Sequence, residues 1–98
     1  MEYNVRQLSQ WQGIRGLIGK KKPESIYLQT RWGIHTFFMR FPIDVVILDD
    51  AYHIAVMKEH LVPWRIFVWN PRYRHVVELP DKTIKANKWT IGDTITLH

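Results

Sequence analysis

GIHTFFMRFPIDVVILD, residues 33–49, is the longest apolar-rich run in the chain, and it decides the fold. Its second half, Ile43–Leu48, is predicted to be a β-strand, along which successive side chains alternate between two faces. One face carries Ile43, Val45 and Ile47, and the other carries Asp44, Val46 and Leu48. Because both faces are mainly apolar, this strand is expected to be central in its sheet and covered on both sides.

The residues around Pro42 are predicted to divide the run into two strands. Residues 36–41 are rich in aromatic and β-branched side chains, which favour a strand. Proline has no amide proton to donate, so Pro42 is expected at the strand boundary. Asp44 then lies at the rim of the core, where an unpaired charge is costly to bury. We interpret it first as a structural residue that bonds to backbone amides or to an arginine; Arg40 is close in sequence.

Short apolar segments separated by turn signals make up the rest of the chain. Strands are predicted over residues 2–8, 25–29, 52–60, 65–69, 73–79 and 94–97, with turns at 30–33, 49–51, 70–71 and 91–93. Within the segment 52–60, Ile54 and Val56 are expected to face away from Ala55 and Met57.

A short amphipathic helix is predicted over residues 10–18. Ser9 and Gln12 have the spacing of a capping box, and apolar residues follow at helical intervals. One further helical turn is expected over residues 81–87. Six to eight short strands with this N-terminal helix, and without a βαβ rhythm, favour a mainly β fold: an antiparallel sandwich or barrel.

Composition predicts one soluble globular domain over residues 1–98. The chain has no cysteine, which excludes disulfides and thiolate metal sites. It shows neither a signal peptide nor an apolar run of the roughly 20 residues that span a bilayer, so we expect a cytoplasmic protein with no membrane partner. The net charge of +5 permits an acidic partner.

The order of motifs along the chain resembles a known family of small proteins, domain of unknown function 192. Segment 34–45, IHTFFMRFPIDV, is similar to the core signature of that family. Segment 15–19, RGLIG, is similar to its arginine-glycine-leucine-methionine segment, with Ile18 in place of methionine. Further matches are LD at 48–49, PWR at 63–65, VELP at 77–80 and IGD at 91–93. The lysines after Gly19 and the DKT at 81–83 depart from the family pattern, both at predicted loops. The resemblance implies a compact β-sandwich of jelly-roll type and implies no established activity.

Five residues within the matching motifs carry groups suited to binding or catalysis: His35, Arg40, Asp44, Arg65 and Glu78. Our first hypothesis is a noncatalytic binding module, in which Asp44, Arg65 and Glu78 line a cleft for a small polar ligand. His35 and Arg40 would flank this cleft. The second hypothesis is an enzyme that uses Asp44 and Glu78 as acid and base, which requires both carboxylates to share a face. The alternative to both is a structural ion-pair network that ties strands together.

The third hypothesis is nucleic-acid binding through a basic, aromatic surface. The residues that would form it are Lys20, Lys21, Lys22, Trp64, Arg65, Trp69, Arg72, Tyr73 and Arg74. The five histidines lack metal-binding spacing, and the glycines do not form a phosphate-binding loop. We therefore predict no metal site and no cofactor.

Overall fold

The computed structural model describes residues 2–3, 6–7 and 25–97 of the chain. The predicted helix over residues 10–18, its capping residues Ser9 and Gln12, and the lysines at 20–22 lie outside the described residues. The described strands are β1 Glu2–Tyr3, β2 Arg6–Gln7, β3 Ile26–Gln29, β4 Gly33–His35, β5 Ile43–Leu48, β6 Ile54–Leu61, β7 Ile66–Val68, β8 His75–Pro80 and β9 Thr96–Leu97. One helix is described, α1, over Thr83–Asn87.

The described strands form three sheets. The main sheet has the order β2-β3-β8-β5-β6, and two smaller sheets pair β4 with β7 and β1 with β9. Strands β3 to β8 pair antiparallel, as predicted, whereas β2 joins β3 and β1 joins β9 in parallel. Within the described residues, the outer strands β2 and β6 do not pair with each other, so the main sheet is not closed into a barrel. The prediction of a mainly β fold is confirmed.

Strand β5 has the predicted bounds and the predicted central position. It pairs with β6 on one side and β8 on the other, and all six of its residues are buried. Its two faces belong to different apolar clusters. The first core cluster contains Ile26, Leu28, Met39, Ile43, Val45, Ile47, Leu61, Trp69 and Val76. The second core cluster contains Tyr27, Val46, Leu48, Ile54, Val77, Leu79, Ile84, Trp89 and Ile95.

Different elements cover the two faces of the main sheet. Ile34 of β4 and Phe67 of β7 pack against the first core cluster, so the β4–β7 sheet lies over that face. On the opposite face, Ile84 of α1 and the following Trp89 complete the second core cluster. The strand β5 is therefore enclosed on both sides by other segments of the chain.

The strand predicted over residues 36–41 is wrong, because these residues form a turn. Thr36 is fully buried, and its hydroxyl donates to the carbonyl of Val62 at 2.7 Å. The Met39 amide donates to the Thr36 carbonyl at 3.2 Å, and Phe38 has a left-handed φ of 67°, which a strand does not accommodate. The strand lies upstream instead, at Gly33–His35, and it begins at the last residue of the predicted turn 30–33. The aromatic composition of the segment therefore indicates packing in a turn that Thr36 anchors.

The side-chain directions predicted for β6 are also wrong, although the strand itself is confirmed. Ile47 pairs with Val56 and Leu48 pairs with Ile54, so Ala55 is an extra residue in β6. This bulge interrupts the alternation of side chains. Ile54 consequently belongs to the second core cluster, whereas Val56 packs against the first.

The remaining elements agree with the sequence predictions except near their ends. Strands β3, β7 and β8 and helix α1 overlap the predicted segments 25–29, 65–69, 73–79 and 81–87. Strands β1 and β2 are described within the predicted segment 2–8, and Pro42 directly precedes β5, as expected. No helix among the described residues is long and apolar enough to cross a lipid bilayer.

We predict that Ile47→Ala lowers the free energy of unfolding by about 3 kcal/mol, because it removes fully buried methyl groups from the first core cluster. Ile66→Ala makes the same chemical change at an exposed position of β7 and is expected to cost less than about 1 kcal/mol. Urea unfolding of both variants measures the difference. Equal losses would contradict the placement of β5 between two apolar layers.

Candidate functional site

Asp44 is fully buried, and backbone amides occupy both of its carboxylate oxygens. Oδ1 accepts the His60 N–H at 3.0 Å, and Oδ2 accepts the Ile84 N–H at 2.9 Å. His60 has a left-handed φ of 53° beside an irregularity in the β5–β6 pairing, so its amide is directed to Asp44. Ile84 lies in the first turn of α1, where amides have no partner within the helix. The structural interpretation of Asp44 is confirmed, with amides as its hydrogen-bond partners.

Asp44 also lines a groove of about 220 Å³, the Asp44 groove, together with Glu59, His60, Asp81, Lys82 and Lys85. The His60 Nδ1 lies 3.1 Å from each carboxylate oxygen of Asp81. Although acids and a histidine meet at this groove, no three such side chains among the described residues are grouped to hold a metal ion. Both oxygens of Asp44 serve the fold, so the groove offers a ligand mainly its exposed rim.

Asp44 and Glu78 lie on opposite faces of the main sheet. In the β5–β8 ladder, Asp44 pairs with Leu79, whereas Glu78 pairs with Val45. Directly paired residues share a face. Leu79 belongs to the second core cluster and Val45 to the first. The two carboxylates therefore do not share a face, and the acid/base pair that the enzyme hypothesis requires is not formed.

Glu78 is a buried acid next to apolar neighbours on β3 and β5. It pairs with Ile26 on one side and Val45 on the other, and only 6% of its surface is exposed. No side chain in the described part of the chain forms a hydrogen bond or ion pair with it. Burial disfavours the charged carboxylate and raises the pKa of Glu78 to about 8. The group is therefore mainly protonated and neutral at pH 7.

The other three predicted site residues are exposed and do not complete a common cleft. Arg65 lines a groove of about 290 Å³, the Arg65 groove, which shares His60 with the Asp44 groove. His35 stacks on Phe37 with ring centroids 4.9 Å apart, and Arg40 is exposed in the turn before β5. The structure places Asp44 and Arg65 in neighbouring grooves. Glu78 lines neither of them.

Three aromatic side chains project into solvent around the β4–β7 sheet. The exposed fractions of Trp32, Phe38 and Trp64 are 69%, 63% and 56%. All three residues have left-handed φ angles, of 79°, 67° and 64°. Residues other than glycine seldom adopt this conformation, which costs about 1 kcal/mol or more at each position. Core packing does not explain exposed rings on strained backbone.

The exposed rings lie at both ends of the β4–β7 sheet. The Phe38 and Trp64 rings meet edge to face at 4.7 Å at one end, and Trp32 precedes β4 at the other. From Trp32 to His35, the end of the strand, the chain advances by three residues, or about 10 Å. Between the two ends, Ile66 and Val68 are each 66% exposed on the outer side of β7. We call this surface, formed by Trp32, Phe38, Trp64, Ile66 and Val68, the aromatic face.

The segments that build the aromatic face are strongly basic. Residues 30–43 and 61–77 contain no aspartate or glutamate. Their charged side chains are five arginines: Arg31, Arg40, Arg65, Arg72 and Arg74. The charge within these two segments is therefore only positive, which favours anionic ligands. Outside them, the Asp50 carboxylate lies 3.6 Å from Arg74 Nε.

A groove of about 400 Å³ lies beside Trp32 and is lined by Gln29, Thr30, Arg31, Trp32 and Arg74. We call it the Trp32 groove. The Arg31 guanidinium donates to the carbonyl of Pro71 at 2.8 Å, and the Arg74 Nε lies 3.6 Å from Asp50 Oδ1. Two positioned cations and an indole ring therefore meet at a groove of ligand size. The sequence did not predict this site, because the pattern of residues 30–33 indicates only a turn. The signal that could have indicated the site was the pair Arg31 and Trp32, because a turn places large side chains at the surface.

The basic, aromatic surface that the sequence predicted is formed in part. The Arg72 guanidinium lies over the Tyr73 ring, 5.4 Å from its centroid, and Trp64 and Arg65 are exposed. Trp69 is buried, and its indole N–H donates to the Tyr73 carbonyl at 2.8 Å. Its inclusion in the surface is therefore wrong, because Trp69 belongs to the first core cluster.

Comparison with known proteins finds one family model, DUF192, described as Uncharacterized ACR, which matches residues 8–97. A UPF0127 protein of Pyrococcus horikoshii is 37% identical over 62 residues, which are 63% of this chain and 53% of the relative. A UPF0127 protein of Thermococcus sibiricus is 36% identical over 62 residues, again 63% of this chain and 40% of the relative. The chain thus spans about half the length of the curated relatives it matches.

Two solved structures share the fold at low sequence identity. A protein of Sinorhizobium meliloti, proposed to be a transcription regulator, has a TM-score of 0.78 and 19% identity, covering 92% of this chain and 78% of that one. A protein of unknown function from Novosphingobium aromaticivorans has a TM-score of 0.77 and 11% identity, covering 95% of this chain and 71% of that one. These similarities concern the fold alone.

We predict that Asp44→Asn lowers the free energy of unfolding by about 1–3 kcal/mol, because the amide nitrogen of asparagine faces a backbone N–H that needs an acceptor. Glu59→Gln makes the same change at an exposed position and is expected to leave stability within about 0.5 kcal/mol. Thermal and urea unfolding compare the two variants. An Asp44→Asn protein as stable as wild type would show that the two amide contacts do not stabilise the fold.

Glu78 is predicted to make stability fall with rising pH. Its pKa is about 8 in the folded chain and near the ordinary value of 4.5 when unfolded, so the folded state holds the extra proton between these values. Stability then decreases as pH rises through this window, by at most about 1.4 kcal/mol per unit. Urea unfolding of wild type and Glu78→Gln across the window gives the difference, in which contributions common to both proteins cancel. A difference that does not change with pH would contradict the raised pKa.

Proposed function

The chain belongs to the DUF192 family, and we propose that it is a noncatalytic binding module for single-stranded nucleic acid. The aromatic face and the adjoining Trp32 groove would form the contact surface. Unpaired bases stack on Trp32, and phosphates bind Arg31 and Arg74 at the same groove. The first and third hypotheses from the sequence are thereby combined at a different place in the molecule.

The observation that carries this proposal is the combination of exposed, strained aromatic residues with arginine-rich segments, next to which Asp50 pairs with Arg74. Trp32, Phe38 and Trp64 hold their rings in solvent at left-handed backbone positions. The segments around them carry arginines without any acidic residue. Stacking of a base on an aromatic ring contributes about 1–3 kcal/mol, and arginine contacts to phosphates add affinity that depends on salt. A polyanion with accessible rings matches both properties.

A single strand fits the surface better than a duplex. Bases can stack on these rings only when they are not already stacked within a helix. The two ends of the aromatic face are about 10 Å apart along β4. A flexible strand can cross the exposed side chains of Ile66 and Val68 between those ends.

The positions of the acids support binding in preference to catalysis. Both oxygens of Asp44 already accept backbone amides, and Glu78 is buried on the other face of the sheet. Arg65 belongs to the proposed contact surface, because it is exposed between Trp64 and Ile66. The cleft for a small polar ligand that the sequence suggested is replaced by the Trp32 groove.

The proposal extends to the type of fold, and a structural relative supports it. The β4–β7 sheet over one face of the main sheet supports a sandwich of jelly-roll type. The fold shared with the Sinorhizobium meliloti protein, which is proposed to regulate transcription, is in keeping with a nucleic-acid ligand. The cytoplasmic location expected from the sequence stays a prediction.

We predict that the chain binds single-stranded oligonucleotides with an affinity that falls as salt rises. In fluorescence anisotropy, Arg31→Gln/Arg74→Gln should flatten the slope of log K against log salt by about 1.4, since each phosphate contact to a single strand contributes about 0.7. Trp32→Ala should weaken binding by about 5-fold to 100-fold through lost stacking.

Lys85→Gln/Lys88→Gln removes the same charge at α1 and serves as the matched control. Binding by this control is expected to keep the wild-type slope. Absence of salt-dependent binding by wild type would contradict the proposed function, and an equal effect of both double variants would contradict the proposed surface.

A further inference from the structure

A chain of hydrogen bonds runs beneath the Trp32 groove from solvent into the second core cluster. The Gln29 Nε2 donates to the Tyr27 hydroxyl at 3.0 Å, and that hydroxyl lies 2.6 Å from His75 Nδ1. His75 Nε2 lies 3.1 Å from Asp50 Oδ1. Tyr27 and His75 are both buried, whereas Asp50 is exposed and Gln29 lines the groove. We call these four residues the Gln29 relay.

The hydrogen bonds of the Gln29 relay all run in one direction. The carboxylate of Asp50 accepts, so His75 carries its proton on Nε2 and leaves Nδ1 as an acceptor. The Tyr27 hydroxyl therefore donates to Nδ1 and has a lone pair left for the Gln29 amide nitrogen. Burial raises the pKa of Tyr27, which keeps this hydroxyl protonated as the arrangement requires. The amide nitrogen of Gln29 is thus fixed towards the relay.

Packing holds the relay rigid from several sides. The Tyr27 and Tyr52 rings lie against the His75 ring, with centroids at 5.8 Å and 5.0 Å. Gln29 pairs directly with His75 in the β3–β8 ladder. Arg74 lies 3.6 Å from the Asp50 carboxylate and also lines the groove. The relay and the two cations of the groove are therefore parts of one structure.

We propose that the Gln29 relay makes Gln29 a specificity-determining residue, which presents its Oε1 acceptor to the Trp32 groove and selects bases that carry an exocyclic amino group. This inference rests on the proposed function. Since Nε2 is bound to Tyr27, the opposite end of the amide is free to accept a hydrogen bond from a base stacked on Trp32. The groove then recognises a donor on the base, in addition to the phosphate contacts of Arg31 and Arg74.

Cytosine carries an exocyclic amino group and thymine does not, and their rings are of similar size. Cytosine has an amino donor at N4 where thymine has a carbonyl acceptor at O4. The Oε1 of Gln29 accepts a hydrogen bond from the N4 amino group of cytosine. The same oxygen faces the lone pairs of thymine O4. One hydrogen bond gained at an accessible site corresponds to about a threefold to tenfold preference.

The test compares oligo(dC) and oligo(dT) of about eight nucleotides, within the site sizes of single-strand binders. Fluorescence anisotropy at neutral pH and low salt gives the ratio of the two affinities. Gln29→Leu removes the acceptor, and Tyr27→Phe removes the hydroxyl that positions it. Tyr73→Phe removes a hydroxyl outside the relay and is the matched control.

Wild type and Tyr73→Phe are expected to prefer oligo(dC) by about threefold to tenfold. Gln29→Leu and Tyr27→Phe should bring the ratio of the two affinities close to one, through a loss of affinity for oligo(dC). Gln29 is exposed, so its variant tests the acceptor even if Tyr27→Phe loses stability. Equal binding of both oligonucleotides by wild type, or a preference that survives Gln29→Leu, would overturn the inference and leave nucleic-acid binding intact. Absence of binding to either oligonucleotide would overturn the proposed function, and this inference with it.

Discussion

The need to cover strand β5 on both faces is the constraint on which the rest of the structure depends. Its six residues are all buried, and the side chains of its two faces belong to separate apolar clusters. The β4–β7 sheet covers one cluster, and α1 with Trp89 covers the other. Because β4 and β7 use only their inner side chains for this purpose, their outer side stays free. That outer side carries the aromatic face, so the position of the proposed binding surface follows from the way the core is closed.

Asp44 shows how a charge is accommodated within this constraint. It lies on the face of β5 that packs against α1, and it accepts amides from His60 on β6 and Ile84 on α1. Helix α1 has no side-chain cap of its own at Lys82, so Asp44 supplies an acceptor that the first turn of the helix lacks. The most conspicuous acid of the sequence thus joins a sheet edge to a helix. Its counterpart Glu78 is buried on the opposite face, in its neutral form at pH 7.

The sequence predicted the features that depend on local alternation and turn chemistry. Its predictions were wrong where contacts with residues distant in sequence determine the structure. The bounds of β5 follow from its own apolar pattern. The turn at residues 36–41 depends on Thr36 bonding to Val62, which no local pattern reveals. The bulge at Ala55 likewise reverses side-chain directions that a regular strand would have. For the site, residue types alone could not show that Asp44 and Glu78 face opposite ways, because one position of register decides it. The Trp32 groove was missed since it is assembled from a turn and the residue before β8.

A ¹H–¹⁵N NMR titration of the chain with a single-stranded oligonucleotide would show whether the aromatic face binds nucleic acid. We expect the indole N–H signals of Trp32 and Trp64 to shift, because their rings are exposed on the aromatic face. The indole signal of Trp69, bonded to the Tyr73 carbonyl within the core, should stay in place. Shifts confined to the amides of His60 and Ile84 around Asp44, or no shifts at all, would contradict the assignment of function to the aromatic face.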